Sequence, residues 1–188
     1  MQEKIRCAWC EKNDLYRNYH DNEWGVAVHD EQTHFEFLLL ETMQAGLSWY
    51  TVLSKRENYR QAFANFDVNK VAKFTPEQID ELMLNQGLIR NRKKLEAAVT
   101  NAKLFIKVQH EIGSFDKYIW SFTNHKIIRN NPKSLSDIPT SSELSNRVTQ
   151  DLKKRGFKFV GTVTIYSHLQ AIGIINDHLL DCWTRGVI

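Results

Sequence analysis

Four residues with metal-binding chemistry stand at the two ends of this 188-residue sequence, Cys7 and His20 near the start, His178 and Cys182 near the end. Twelve residues separate the first two, and three separate the last two, so on a helix His178 and Cys182 would share a face. Thiolate and imidazole are the usual ligands of tetrahedral zinc, and a site filled by four protein ligands tends to be structural. The spacing therefore predicts a clamp that fastens the N-terminal segment to the C-terminal one, with the chemistry elsewhere. Cys10 follows Cys7 at CxxC spacing, itself a common zinc arrangement, and competes with it as a ligand.

A second group carries reactive potential of another kind. Glu41 lies in the run Phe35-Glu-Phe-Leu-Leu-Leu-Glu-Thr-Met43, among residues that should be buried. A carboxylate there is costly unless something holds it. Either a nearby Arg or Lys pairs with it, or it stands at the base of a pocket for a cationic or NH-bearing ligand. Trp9, Tyr16, Tyr19, Trp24, Trp49 and Tyr50 crowd the first fifty residues. Such aromatics form core, or they offer stacking faces that suit a flat, positively charged base.

The third group is basic. In the segment from Asp151 to Thr164, Gly156 and Gly161 bound a turn, with Lys153, Lys154, Arg155 and Lys158 around it. A helix beginning at Thr162 would present unpaired N–H groups, and with the basic side chains these suit a nucleic-acid phosphate. The plainer reading is a glycine-terminated connection between two helices. The run Arg90-Asn-Arg-Lys-Lys94 is equally open to reading as a solvated helix end.

Helices must position these groups. Asp30 precedes a run in which Phe35, Leu38, Leu39 and Thr42 follow helical spacing. Thr75-Pro-Glu-Gln78 is a capping box with proline in the first turn, and Gly87 is the expected stop. Ile89 to Ile112 carries Leu95, Ala98, Ala102, Phe105 and Ile106 on one stripe, ended by Gly113. Ser114 caps a short helix through Trp120, an extended loop runs from Thr123 to Ser141, and two helices follow over Ser142–Arg155 and Thr162–Ile172. Only FKFVGTV hints at a strand. The expected fold is all-α, one domain over residues 1–188, its helices joined by short turns.

Composition bounds the rest. Hydrophobic residues make up 42% and charged residues 25%, which describes an ordinary globular protein. No apolar run nears the ~20 residues of a membrane helix. The first sixteen residues lack the apolar stretch of a secretory signal. An odd count of three cysteines makes no disulfide framework, and points to a reducing cytoplasm. A net charge of +3 permits a nucleic-acid partner without demonstrating one.

Four ordered motifs make the reading specific: Tyr19-His-Asp-Asn-Glu-Trp-Gly25, Glu41-Thr-Met-Gln-Ala-Gly-Leu-Ser-Trp49, Lys154-Arg-Gly-Phe-Lys-Phe-Val-Gly161 and Asn176-Asp-His-Leu-Leu-Asp-Cys182. Together they resemble the constitutive 3-methyladenine DNA glycosylase I family, over nearly the whole chain. The resemblance implies a helix-hairpin-helix DNA glycosylase fold, with Gly156 to Gly161 as the hairpin. It also implies one structural zinc ion on Cys7, His20, His178 and Cys182. The implied activity is hydrolytic excision of flipped 3-methyladenine from double-stranded alkylated DNA, with the free base and an abasic site as products and no lyase step. Glu41 and Tyr19 are then the catalytic pair, meeting the base on which Trp49 stacks. Tyr16, Trp24 and Trp9 match aromatic positions near the pocket. Gln44, Gly46 and Leu47 match the turn that fills the space left in the duplex. Lys153, Lys154, Arg155, Gly156, Lys158, Gly161 and Thr162 face the DNA backbone. The implied protein acts as a monomer and lacks the aspartate many helix-hairpin-helix glycosylases place beyond the hairpin. Asp177, the nearest candidate, is expected to cap a helix or support a metal ligand. Two readings from other classes are a non-catalytic DNA-binding module with a filled pocket, and a zinc hydrolase with an open coordination position.

Overall fold

The computed structural model describes residues 4–186. Among them the chain forms α1 (Asp14–Asn22), α2 (Glu31–Gln44), α3 (Trp49–Leu53), α4 (Arg56–Ala62), α5 (Val68–Val71), α6 (Pro76–Leu84), α7 (Arg92–Ile112), α8 (Phe115–Ser121), a two-residue strand β1 (Ile128–Arg129), α9 (Glu143–Arg155), α10 (Thr162–Ala171) and a two-residue β2 (Ile175–Asn176). No helix among the described residues is long and apolar enough to cross a membrane.

The central element is α2. Every residue from His34 to Met43 is buried, so the helix is covered on all sides. It packs against α3, α7, α8 and α10. Asp30 starts it by accepting a hydrogen bond from the Thr33 amide at 2.8 Å. The box at Thr75 and Gln78 forms as its sequence requires. Ser114 and Ser142 cap α8 and α9.

Three expectations need correction. The helix begun at Pro76 ends at Leu84, before Gly87. Gly87 serves packing instead, because a Cβ there would stand 2.7 Å from the Asn58 side chain. The long helix starts at Arg92, not Ile89, since the Asn91 side chain caps it and the Ile89 amide is held by the Tyr59 hydroxyl at 3.1 Å. The segment FKFVGTV forms no strand; after Gly156 at φ 103° its first five residues make the turn between α9 and α10, with Phe159 at φ 57°, and its last two open α10. The actual strands are β1 and β2, paired in parallel with Ile128 opposite Ile175. Two residues each are too short to leave a period in the sequence. Their pairing ties the Thr123–Ser141 loop to the segment that carries His178.

The N-terminal segment is sewn to the end of the chain. The Val28 amide donates to the Ile172 carbonyl at 3.1 Å, Gly25 to Gln170 at 3.1 Å, and Trp183 to Ile5 at 2.9 Å. At Gly173, φ is 74° and a Cβ would lie 2.4 Å from the Val26 carbonyl carbon. Only glycine permits that approach.

Candidate active site and metal centre

A cavity of about 350 Å³ opens where the N-terminal aromatics, the end of α2 and α10 converge. Trp9, Tyr16, Tyr19, Trp24, Glu41 and Trp49 line one side, so the six residues expected around a base do come together. Gln44 lies at its rim. The other side was not anticipated: Leu135, Ile138 and Pro139 from the loop, and Tyr166, Ser167 and Gln170 from α10. The loop residues carry no sequence signal. On α10 the helical period places Tyr166 and Gln170 on one face, but nothing in the sequence says that face meets α2.

Glu41 decides what the cavity can do. It is 2% exposed, no ion pair reaches it among the described residues, and Oε2 has no hydrogen-bond partner. Burial alone pushes its carboxyl up to about 8. Glu36, one and a half turns earlier on the same helix, shows the contrast. It is equally buried yet accepts from Arg56 at 2.7 Å and Arg60 at 2.8 Å. The salt-bridge reading thus describes Glu36 and fails for Glu41. The Nε1 of Trp49 is a second buried, unpartnered group on the cavity wall. Unsatisfied groups of this kind are costly in a finished core and are expected where a ligand completes them.

The aromatic wall is continuous. Tyr19 lies 5.4 Å from Trp49 between ring centroids, and Trp9 packs edge-on against Tyr16 at 5.5 Å and Trp24 at 5.1 Å. Burial, and next the Glu41 charge, raise the Tyr19 phenol well above its ordinary value, so it remains a neutral donor. The wall then runs into the metal centre, with Trp24 at 4.5 Å from the His178 ring.

That centre gathers Cys7, His20, His178 and Cys182, all buried, with one ligand atom of each within 4.8 Å of the others. The Sγ of Cys182 lies 3.4 Å from His20 Nε2 and 3.5 Å from His178 Nδ1, and Cys7 Sγ lies 3.8 Å from the same Nδ1. Tetrahedral zinc with its ordinary bond lengths separates sulfur from nitrogen by about 3.6 Å. The outer hydrogen bonds also fit. His20 Nδ1 donates to Asp21, itself gripped by Arg6, and His178 Nε2 donates to the Trp24 carbonyl at 2.9 Å. Each ring therefore turns its other lone pair toward the cluster. The hydrogen bond from Cys7, then those from His178 and His20, pull the Cys182 thiol far down toward thiolate. The Thr184 hydroxyl, 2.8 Å from His178 Nδ1, and the Leu179 amide, 3.4 Å from Cys7 Sγ, also reach for these lone pairs. Cys10 is buried but outside the cluster. Were all four to bind one metal ion, no position would stay open for the water that a zinc hydrolase needs.

Beside the cavity, α2 breaks into a tight turn. Gly46 has φ 79°, the Leu47 amide donates to the Gln44 carbonyl, and Leu47 is 41% exposed. Around the Gly156–Gly161 turn, Lys153, Lys154 and Lys158 are exposed. Arg155 already has partners within the protein: its guanidinium is held by Asp151 and Glu111, both at 2.7 Å, and lies over the Tyr118 ring. The Thr162 hydroxyl is likewise bonded to Asn146 and Ser145, so what it can offer a phosphate is its backbone amide. Asp177 caps no helix. It is 1% exposed and accepts from Tyr166, Gln170 and Asn130, each at 2.7 Å, thereby fixing two side chains of the cavity wall.

A family model described as methyladenine glycosylase matches residues 9–185. A DNA-3-methyladenine glycosylase of Haemophilus influenzae is 49% identical over 94% of this chain and 96% of its own. A crystal structure of 3-methyladenine DNA glycosylase I superposes with a TM-score of 0.93 at 45% identity, covering 95% of this chain and 98% of that one. A tyrosine-to-phenylalanine variant of 3-methyladenine DNA glycosylase I, in complex with 3-methyladenine, gives 0.93 at 40% identity over 96% and 97%. With the cavity, its unpaired glutamate and its aromatic wall in the positions that the motifs led one to expect, the chain is an enzyme of the methyladenine glycosylase family.

Proposed function

We propose that the protein excises 3-methyladenine from alkylated double-stranded DNA by hydrolysis, as a monomeric, monofunctional glycosylase of the cytoplasm. The observation that carries this reading is the unpaired, buried Glu41 inside an aromatic cavity of base-accommodating size. A base must leave the stack to enter such a site, and a damaged base is the least costly to extrude. Gln44, Gly46 and Leu47 fill the gap left behind. The α9–turn–α10 unit acts as the helix-hairpin-helix, where Lys153, Lys154 and Lys158 meet phosphates alongside the backbone of Gly156, Gly161 and Thr162.

Methylation at N3 gives the adenine a positive charge. Glu41 accepts hydrogen bonds from its NH-bearing edge, strengthened by charge in a desolvated pocket. Tyr19 orients the base and Trp49 stacks on it, while Tyr16, Trp24 and Trp9 complete the wall. As the C1′–N9 bond breaks, its electron pair leaves with the base, which departs neutral. A water oxygen then bonds C1′ and releases its proton to solvent, leaving an abasic site. Because the leaving group needs no protonation, Glu41 selects the cation more than it drives the bond cleavage. No lysine stands among the cavity residues to form a Schiff base, so no strand cleavage is expected. Cys7, His20, His178 and Cys182 hold one structural zinc ion, which joins the chain ends and supplies no reactive oxygen.

The test is incubation with methylated duplex DNA, without added metal, and chromatography of the released bases. Free 3-methyladenine with intact strands is expected. Absence of any methylated base from active-site-titrated protein would refute the assignment, and nicked strands would refute the absence of a lyase step.

A further inference from the structure

The longest helix carries two buried polar side chains whose hydrogen bonds both leave the helix. Lys94 is 5% exposed, and its Nζ donates to the carbonyls of Met43 at 2.7 Å and Ala45 at 2.6 Å. Those carbonyls lie at the C-terminal end of α2 and on the residue that follows it, at the foot of the Gln44–Leu47 turn. Asn101 is 2% exposed, and its amide bonds one residue twice: Nδ2 donates to the Lys158 carbonyl at 3.0 Å, and Oδ1 accepts from the Lys158 amide at 2.8 Å. Lys158 sits in the turn between α9 and α10.

Burying an ammonium and a carboxamide is costly, and neither position is needed to complete α7 itself. Each completes a loop instead. The end of α2 is left open at Ala45, with φ −46° and ψ 112°. The Lys94 charge meets the negative end of that helix dipole. Asn101 pairs with Lys158 as a neighbouring strand would, in a segment that has no strand. The two residues are seven positions apart, so they share one face of α7, spaced by about 10 Å along its axis. The helix is itself held by packing on α2, α5, α6 and α8.

We propose that α7 is a rigid spacer that sets the distance between the duplex-filling turn and the phosphate-gripping turn, with Lys94 and Asn101 as its positioning residues. The inference rests on the glycosylase reading above, which gives those turns their DNA roles. Extruding one nucleotide requires an insert in the stack at a fixed offset from the phosphates that hold the strand. Two loops tied to one stiff helix provide that offset before DNA arrives, so less ordering is needed on binding.

Lys94→Met and Asn101→Leu separate this role from a general packing defect. Three measurements are made on each variant: affinity for free 3-methyladenine, affinity for abasic duplex DNA as a function of salt, and single-turnover excision from duplex and single-stranded methylated DNA. Free-base affinity is expected within about twofold of wild type, because the cavity wall is untouched. Lys94→Met is expected to lose about tenfold in excision from duplex but little from single strands, where no stack needs filling. Asn101→Leu is expected to lose about tenfold in abasic-duplex affinity, with a shallower salt dependence. Should Asn101→Leu not fold, Asn101→Asp keeps the size and the acceptor while opposing the Lys158 carbonyl, and the same loss is expected. Unchanged duplex affinity and excision in folded variants would overturn the proposal, as would a parallel loss of free-base binding. Wild-type protein that releases no methylated base, yet loses duplex affinity on Asn101→Leu, would sink the glycosylase reading and leave standing only the part of the proposal in which α7 sets the phosphate-gripping turn.

Discussion

Replacing Glu41 with glutamine should make the protein more stable and less active at once. In the unfolded chain this carboxyl has its ordinary value of 4.5, and burial in the fold raises it to about 8. A raised folded value means that the native state favours the protonated group. The associated stability is therefore complete below pH 4.5 and lost progressively as pH rises toward 8. At about 1.36 kcal/mol per pH unit, the loss reaches about 3 kcal/mol at pH 7 and about 5 kcal/mol above pH 8. Glutamine carries no charge to desolvate, but its buried amide costs about 1–3 kcal/mol if unpaired. The net gain at pH 7 is then about 0–2 kcal/mol, or up to about 8 °C in Tm for a domain of this size. Chemical denaturation of both proteins from pH 4 to pH 9 reads the difference directly. It should widen with pH between 4.5 and 8 and level off beyond. Excision of 3-methyladenine should fall about 10–100-fold with the loss of a charge-assisted acceptor, while abasic-DNA affinity stays near wild type. A variant less stable at every pH, or a difference that ignores pH, would show that Glu41 is a paired structural residue. Equal losses of excision and abasic-DNA binding would remove it from the pocket's chemistry.

Three further outcomes follow from the same geometry. The kcat/KM for excision, which reports the free enzyme, should rise almost tenfold per unit up to about pH 8 and flatten above, because the N3-methylated base keeps its charge throughout; a flat profile from pH 6 to 9 would contradict the elevated Glu41. Stripping metal with a strong chelator under reducing conditions should remove one zinc per chain and lower Tm by about 10 °C or more, with activity falling in step; a stable but inactive apo-protein would assign the metal to the reaction itself. Gly173→Ala forces a Cβ against the Val26 backbone at a left-handed φ and should cost about 3 kcal/mol or more in urea unfolding; a loss under about 1 kcal/mol would mean that the N-terminal segment docks less tightly than its hydrogen bonds to Gln170 and Ile172 indicate.

Much of this protein is legible in its sequence because the determining interactions are local. The capping box at Thr75, the serine caps of α8 and α9, and the glycines that end α7 and α9 act within a few residues, and the structure carries each of them. The four Cys and His residues of the cluster are legible by residue type, and the structure brings them together as a candidate metal site. What sequence spacing leaves open is which polar residue is paired. Glu41 stands out in the sequence, but its two readings, paired or left for a ligand, are separated only by the placement of α4, which brings Arg56 and Arg60 to Glu36 and leaves Glu41 alone. Arg155 reads as one free cation of a basic turn until the fold brings Glu111 and Asp151 to its guanidinium. Lys94 reads as one charge in a solvated run until the end of α2 is set beside it. The far wall of the cavity, from Leu135 to Gln170, exists only because β1 pairs with β2 and α10 crosses α2. The sequence by itself thus determined most of the longer helices, the caps that act within a few residues, and the residue types of the candidate site. The tertiary structure decided which charges are satisfied and which remain for a ligand, because that depends on partners distant in sequence whose approach no local pattern encodes.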